Sequence, residues 1–510
     1  MQCTAHSWLG CPGRADYRSV IFSICCSSGS SGPLWFSIRP GPVTRGPGND
    51  TMIWLFSTYF PKRTLFLVLC QTVLVLGLLP AIVLVQRGRD LVPALGDTHD
   101  ILRMLIVASI CLSCLYYRDV FVFRSIAESG PMLIRLIQAL GVASILLAIL
   151  YTAFPKAELN GTIIAIWLIG TVWAVSHYVF LTLSKSRRWS TPTIVIGDGP
   201  LAVELMKLIH NRLELGLSLI GYLGQSSRER EIGLPCLGPV EDLAEVVKQK
   251  AVERVIVAMS DRRAMLPVDG LLDLKTAGVA VQEGAEFYES ATGRIPVDEI
   301  RPSWLIFGTG FRISKVQSFY KRLVSLSVSL IGIIVLSPLM LVTAVAIGLD
   351  SPGPIIFRQV RIGMHGLPFT VYKFRTMYHE ADQGKAPLPV QANDLRITRV
   401  GRWLRQFRFD EFPQLFNILS GHMSLVGPRP FVPNQEFELL EQIPLYKQRW
   451  SVRPGATGWA QVQRGYCATL EDNVEKLAYD LFYIKNMSIG LDLLILLKTF
   501  KIVLAGIGGR

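Results

Sequence analysis

The sequence predicts a membrane protein in three parts. These are a four-helix transmembrane region, a Rossmann-like α/β middle domain, and a C-terminal α/β domain entered through a re-entrant membrane helix. Three observations predict it. Half of the 510 residues are hydrophobic and the mean hydropathy is +0.38, a composition suited to lipid. The β-branched run Thr193–Gly197 leads into a glycine turn and then a helical pattern, the opening of a βαβ unit. From Leu323 to Gly348 runs an uncharged stretch long enough to cross a bilayer, with Ser337-Pro338 in its middle.

Charge narrows the class of partner. The net charge is +13, and from Arg312 onward 24 Lys and Arg stand against 14 Asp and Glu. Such an excess suits phosphate-bearing partners: anionic lipid, nucleotide or nucleic acid. The basic residues flank or interrupt apolar runs and no nucleic-acid motif is present, so nucleic acid is disfavoured. The nine cysteines form no disulfide framework. Cys111-x-x-Cys114 has a redox spacing but lies inside an apolar helix, where packing is the better reading. A reducing, cytoplasmic setting suits the soluble parts.

In chain order, residues 1–51 are rich in Gly, Ser, Pro and Cys without periodicity, and read as a disordered or misassigned tail before Met52. Residues 52–189 carry four apolar segments: Thr64–Gln86, Ile101–Tyr117, Leu136–Pro155 and Leu159–Ser184. Lys62, Arg63, Arg118, Arg124, Arg135, Lys185, Arg187 and Arg188 then fall on one side. Only Arg87, Arg89, Arg103 and Lys156 fall on the other, which places the N-terminus inside. Residues 190–300 hold the βαβ pattern, with helices over 201–212 and 240–250 and a second strand at Arg254–Ala258. The turn Gly197-Asp-Gly199-Pro-Leu-Ala202 fits nucleotide binding or close packing equally, and a regulatory or assembly role is the default. Residues 301–320 form a linker.

The uncharged run has basic residues on both flanks, Lys315, Lys321 and Arg322 before it and Arg358, Arg361, Lys373 and Arg375 after it. A simple span has one rich and one poor flank. Pro338 lacks an N–H and clashes with the carbonyl of Ile334. The expectation is a helix that breaks at Ser337 and Pro338 and leaves by the face it entered, with Ser337 satisfying a freed carbonyl.

Within 321–510 the chemistry gathers. Lys373 and Arg375 alternate on one face of an expected strand. Arg399, Arg402, Arg405 and Arg408 recur every three residues, a basic stripe without interleaved carboxylates. Asp410-Glu411 follows at once. One carboxylate of such a pair can attack phosphorus while its neighbour holds a divalent ion or moves a proton. Taken alone, the pair is also a common helix N-terminal charge. Arg429 sits between two prolines that pre-set its backbone, and Arg453 opens a glycine-punctuated turn able to cradle an anion. Met487–Gly506 is apolar but broken by Asp492, Lys498 and Lys501, an interfacial or packed helix.

These motifs resemble the bacterial sugar transferase family of monotopic phosphoglycosyl transferases. The resemblance rests on the run around Ser337-Pro338, Asp350-Ser-Pro-Gly-Pro354, Lys373-Phe-Arg-Thr-Met377, Asp410-Glu411-x-Pro-Gln-Leu415, Met423–Pro430 and Pro454–Gln461. It covers about residues 315–510. The preceding spans and α/β domain resemble the long polyprenyl glycosylphosphotransferase subgroup, and Tyr479–Asn486 its exosortase-associated branch. The resemblance implies transfer of a sugar 1-phosphate from a UDP-sugar to undecaprenyl phosphate with release of UMP, priming exopolysaccharide synthesis at the bacterial inner membrane. It implies Asp410 as the nucleophile of a covalent phosphosugar intermediate. Glu411 assists at the Mg2+-bound diphosphate, and Lys373, Arg375, Arg429 and Arg453 contact phosphate or nucleotide. The partners are donor, acceptor, membrane lipid and, as a candidate, a second copy in a homodimer. His422 departs from the family pattern, which has an aspartate there. Two other readings share the architecture: a membrane-bound nucleotide-sugar dehydratase or epimerase, and a non-catalytic nucleotide-sensing scaffold. The first needs a Tyr-x-x-x-Lys pair that the chain lacks.

Overall fold

A computed structural model of the chain describes residues 52–55, 58–73, 98–118, 129–153, 170–179, 190–225, 233–259, 266–299, 314–379, 394–464 and 469–504, with 167, 310 and 311. The readings of the tail 1–51, of parts of the first and fourth apolar segments, and of most of the linker lie outside the described residues.

The chain does not enter the helical region at Met52. Met52–Leu55 (β1) and Thr58–Pro61 (β2) pair as an antiparallel hairpin. Tyr59 packs against the core that holds Tyr222, Phe287 and Tyr288, so the hairpin belongs with the α/β domain. Composition had placed it with the spans. Thr98–Tyr117 (α1) and Ser129–Ala153 (α2) then pack through Ala108, Cys111 and Cys114 against Ala139, Leu140 and Ala143. Small side chains let two apolar helices approach closely. Both cysteines are buried free thiols in this seam, in keeping with packing.

Residues 191–283 form a parallel four-stranded sheet in the order β4-β3-β5-β6, from Thr191–Ile196 (β3), Leu217–Leu223 (β4), Arg254–Val257 (β5) and Ala280–Glu283 (β6). Pro200–Asn211 (α3) and Leu243–Gln249 (α4) cross over as expected, and Val268–Thr276 (α5) links the last two strands. Gly197 has φ +121°, and a Cβ there would stand 2.6 Å from the carbonyl oxygen of Ala258. The glycine turn therefore serves the close approach of β3 to the end of β5. Gly284–Thr292 (α6) carries the domain onto the C-terminal part, where Ile295 and Val297 join its core.

Lys315–Asp350 (α7) is the one helix among the described residues long and apolar enough to cross a membrane. At 36 residues it is about 54 Å long if straight. It does not break at Ser337-Pro338, which corrects the expected interruption: the helix continues through the proline. The reason is local. The Ser337 hydroxyl donates to the Ile334 carbonyl at 2.8 Å, the acceptor that Pro338 leaves without its amide. Ser325, Ser329, Thr343 and Ile347 face protein, whereas Ile331, Ile334, Val335, Leu341 and Val342 are exposed.

Both ends of α7 attach to the same C-terminal body. Near its start, Arg322 donates to the carbonyls of Ile418 (2.6 Å) and Leu419 (3.0 Å), and Lys321 pairs with Asp492 at 2.8 Å. At its end, Ile347 packs with Phe374 and Leu404, and Asp350 accepts from the amide of Val400. That body comprises the hairpin Ile356–Ile362 (β7) and Pro368–Phe374 (β8), then Arg399–Gln406 (α8) and Gln414–Ser420 (α9). Ser424–Val426 (β9) pairs in parallel with Gly455–Thr457 (β10). Pro433–Gln442 (α10), Trp459–Gln463 (α11), Leu470–Lys485 (α12) and Ile489–Leu504 (α13) complete it. Leu491 and Ile495 of α13 are fully buried, while Ile489, Leu493, Leu497 and Phe500 are exposed, so the helix packs by one apolar face and presents another outward.

Candidate active site

Asp410 and Glu411 lie on a single 3-10 turn, Phe409–Glu411, between α8 and α9. The turn is entered through Arg408 at φ 57°, ψ 25°, a left-handed conformation uncommon outside glycine. Thr398 caps α8 by accepting from the Gly401 amide. The helix stops at Gln406, so the expected stripe of four arginines divides. Arg399 and Arg402 are exposed on the helix, while Arg405 and Arg408 approach the carboxylates.

Two cations converge on one carboxylate oxygen. Glu411 Oε1 accepts from Lys373 Nζ at 3.2 Å and from Arg429 Nη2 at 2.8 Å. Lys373 stands on β8 and Arg429 on the loop between β9 and α10, so the site is assembled from three parts of the chain. Burial would raise the carboxyl of Glu411, but Arg429 and Lys373 outweigh it and hold Glu411 well below the usual carboxylate range. Asp410 differs. Burial pushes it up, Lys373 draws it down, and the charge of Glu411 adds to the rise; the net direction is upward. Among the described residues it has no hydrogen bond or ion pair. One carboxylate of the pair is thus held ionised and fixed, and the other is left unbound.

The remaining candidates do not join them. β8 ends at Phe374, and Arg375 is buried against the end of α7. It donates to the carbonyls of Ser351 (2.5 Å) and Pro352 (2.9 Å) and to the Ser351 hydroxyl (3.0 Å). Those carbonyls lie just past the last turn of α7, whose negative end a cation suits. The expected phosphate contact for Arg375 is therefore corrected: with strand alternation ended, its side chain clamps α7. Arg453 donates to the carbonyl of Gly421 at 3.1 Å. His422 contacts the Ser420 hydroxyl through Nδ1 at 2.8 Å and stacks on Phe369, filling the place of the missing acid.

Two contributors were not singled out by the sequence. Arg361 on β7 donates to the carbonyl of Pro430 at 2.9 Å. Burial, and then the charge of Arg429, bring it down to about 10. Arg449 is buried, donating to Asp480 (2.9 Å), Glu436 (3.4 Å) and the Arg429 carbonyl (2.8 Å). It braces the loop that aims Arg429. Its signal was available in the paired acids Glu436 and Asp480, but their approach depends on tertiary structure.

A half-buried carboxylate pair, with two cations on one of its oxygens, is thus carried on a body tied along a long apolar helix. The sequence model of the Bacterial sugar transferase family matches residues 316–506, and that of a CoA-binding domain matches 117–268. The chain is 42% identical over 234 residues to the UDP-N-acetylgalactosamine-undecaprenyl-phosphate N-acetylgalactosaminephosphotransferase of Aeromonas hydrophila, covering 46% of this chain and 54% of that protein. To the undecaprenyl-phosphate glucose phosphotransferase of Komagataeibacter xylinus it is 33% identical over 333 residues, covering 64% and 62%. The uncharacterized sugar transferase EpsL of Bacillus subtilis is 40% identical over 192 residues, 37% of this chain and 89% of that protein. The chain spans between half and two thirds of the first two relatives. It belongs to the bacterial sugar transferase family.

Proposed function

We propose that the protein transfers a sugar 1-phosphate from a UDP-sugar to polyprenyl phosphate, releasing UMP, and so primes exopolysaccharide assembly. The observation that carries this is the asymmetric pair: Glu411 locked to Lys373 and Arg429, and Asp410 beside it without a bonded partner among the described residues. In the first step a carboxylate oxygen of Asp410 attacks the sugar-bearing phosphorus. The phosphorus–oxygen bond to UMP breaks, and UMP leaves with the electron pair. In the second, an ionised phosphate oxygen of the acceptor attacks the same phosphorus and the Asp410 carboxylate departs unchanged. Lys373, Arg429 and Arg361 supply fixed positive charge where the diphosphate gains negative charge.

A divalent ion fits this donor set. No group of three or more His, Cys, Asp or Glu that could hold a metal occurs among the described residues. Mg2+, however, is commonly held by one or two carboxylates with substrate phosphates completing its shell. The second oxygen of Glu411 takes no donor among the described residues, and with Asp410 it would hold the ion. When bound, Mg2+ would neutralise diphosphate charge.

The membrane arrangement belongs to the same proposal: four spans returning the chain to the cytoplasm, and α7 seated in the cytoplasmic leaflet as a continuous helix, a dip without a break, whose two ends lie on the cytoplasmic side. Support comes from the attachment of both ends of α7 to one body. A full crossing would separate Asp410 from cytoplasmic nucleotide sugars. Cysteines at the exposed positions Lys315 and Pro354 test it, and labelling from opposite sides would refute the dip. The middle domain is assigned a regulatory or assembly role. The reaction is tested with Asp410→Asn in a panel of UDP-sugars. UMP release is expected to vanish, and undiminished turnover would remove Asp410 as nucleophile.

A further inference from the structure

Four aromatic rings form a continuous ladder that this chemistry leaves unused. Trp403 on α8 is 64% exposed. Its ring lies 4.8 Å from Phe407, Phe407 lies 5.9 Å from Phe409, and Phe409 lies 4.9 Å from Phe412. These are contact separations for aromatic pairs. Phe409 and Phe412 flank Asp410-Glu411 in the chain. They pack with Met340 and Ala344 of α7 around Ile347, Phe374 and Leu404. One end of the ladder thus meets the apolar helix and the carboxylates together, and the other stands open beside the exposed Arg399 and Arg402.

The cations at the site fall into two sets. Lys373, Arg361 and Arg429 come from the hairpin and the proline loop. Arg405 and Arg408 come from α8 and its exit, and their charges reach Asp410 and Glu411 respectively. Two anions must meet at Asp410 in turn, the donor diphosphate and the acceptor phosphate. A set of cations beside a run of rings matches an anion with a long apolar tail, and the other set matches the water-soluble donor.

We infer that the ladder Trp403–Phe407–Phe409–Phe412 seats the isoprenoid chain of the acceptor and that Arg405 and Arg408 receive its phosphate. The inference rests on the transfer reaction proposed above. The occupant is the acceptor lipid, because the ladder runs from the exposed Trp403 to the turn that carries the carboxylates, where the acceptor phosphate must arrive.

The test uses the full-length protein in nanodiscs, with undecaprenyl phosphate and farnesyl phosphate as acceptors. Trp403→Ala and Phe407→Ala are expected to lower kcat/KM for the long acceptor about tenfold or more, by lost apolar burial. The loss with the short acceptor should be several-fold smaller, so the long-to-short ratio falls. Trp403→Leu, which keeps an apolar side chain, should recover part of that ratio. Phe437→Ala, at an exposed aromatic on α10, is the control and should leave the ratio unchanged. Equal losses with both acceptors would overturn the ladder and show that Trp403 only seats α8 on the bilayer. So would an unaltered ratio in both ladder variants. No UMP release by the parent protein with any UDP-sugar would instead sink the reaction itself, and the ladder's role with it.

Discussion

Arg449 offers the sharpest test of how the site is held. Arg449 is 4% exposed, and its guanidinium lies between Glu436 (2%) and Asp480 (1%), with one further donor on the Arg429 carbonyl. Arg449→Met keeps most of the volume and removes the charge, leaving two buried carboxylates facing each other. Breaking a buried ion pair by removing one partner costs about 3–5 kcal/mol. That is a large fraction of the roughly 5–15 kcal/mol that holds a domain folded. Asp480→Asn should cost less, because Arg449 keeps Glu436 and the Arg429 carbonyl. Arg449→Lys preserves charge but not the planar fork, so it should recover part of the stability while the KM for donor stays high. The assay is urea unfolding in detergent, read beside donor kinetics for each variant. A loss under about 1 kcal/mol in Arg449→Met, with donor KM unchanged, would refute the claim that this cluster aims Arg429.

Further outcomes follow from the same geometry. Asp410 must be ionised to attack, and its carboxyl lies above the ordinary range, so activity should fall as pH drops toward that raised value. Glu411→Gln removes one of the charges that raise Asp410, so the acid limb should move to lower pH while kcat falls; an upward move would contradict the assignment. Arg375→Met should destabilise the protein by about 2–3 kcal/mol through the carbonyls it leaves bare, with little change in donor KM for the fraction that stays folded. A raised KM at full stability would restore Arg375 to substrate binding.

Much of the fold was legible because its signals are local. The strand, turn and helix of Thr191–Asn211 follow from β-branching, glycine and helical periodicity over one short window. Asp410 and Glu411 were legible as adjacent carboxylates in a basic stretch. What escaped was anything decided by an element's end. Lys373 and Arg375 are two residues apart, yet the strand closes between them and sends one to Glu411 and the other to α7. Arg408 belonged to a helical stripe by spacing, but α8 ends at Gln406 and a left-handed residue turns the chain toward the site. The hairpin at Met52 escaped for a different reason: its partner, the core around Phe287, lies more than two hundred residues away.

Read from the sequence, Pro338 breaks the helix, with Ser337 satisfying a freed carbonyl. Here the Ser337 hydroxyl does satisfy it, and the helix continues without an unpaired carbonyl. Continuity matters because α7 is anchored at both ends, by Arg322 to α9 and by Asp350 and Arg375 beside α8 and β8. A chain break at its middle would uncouple those anchors. An unbroken helix instead links the two structures that flank the Asp410-Glu411 turn, α8 before it and α9 after it. The serine–proline pair thus keeps in one piece the element against which the carboxylates are positioned.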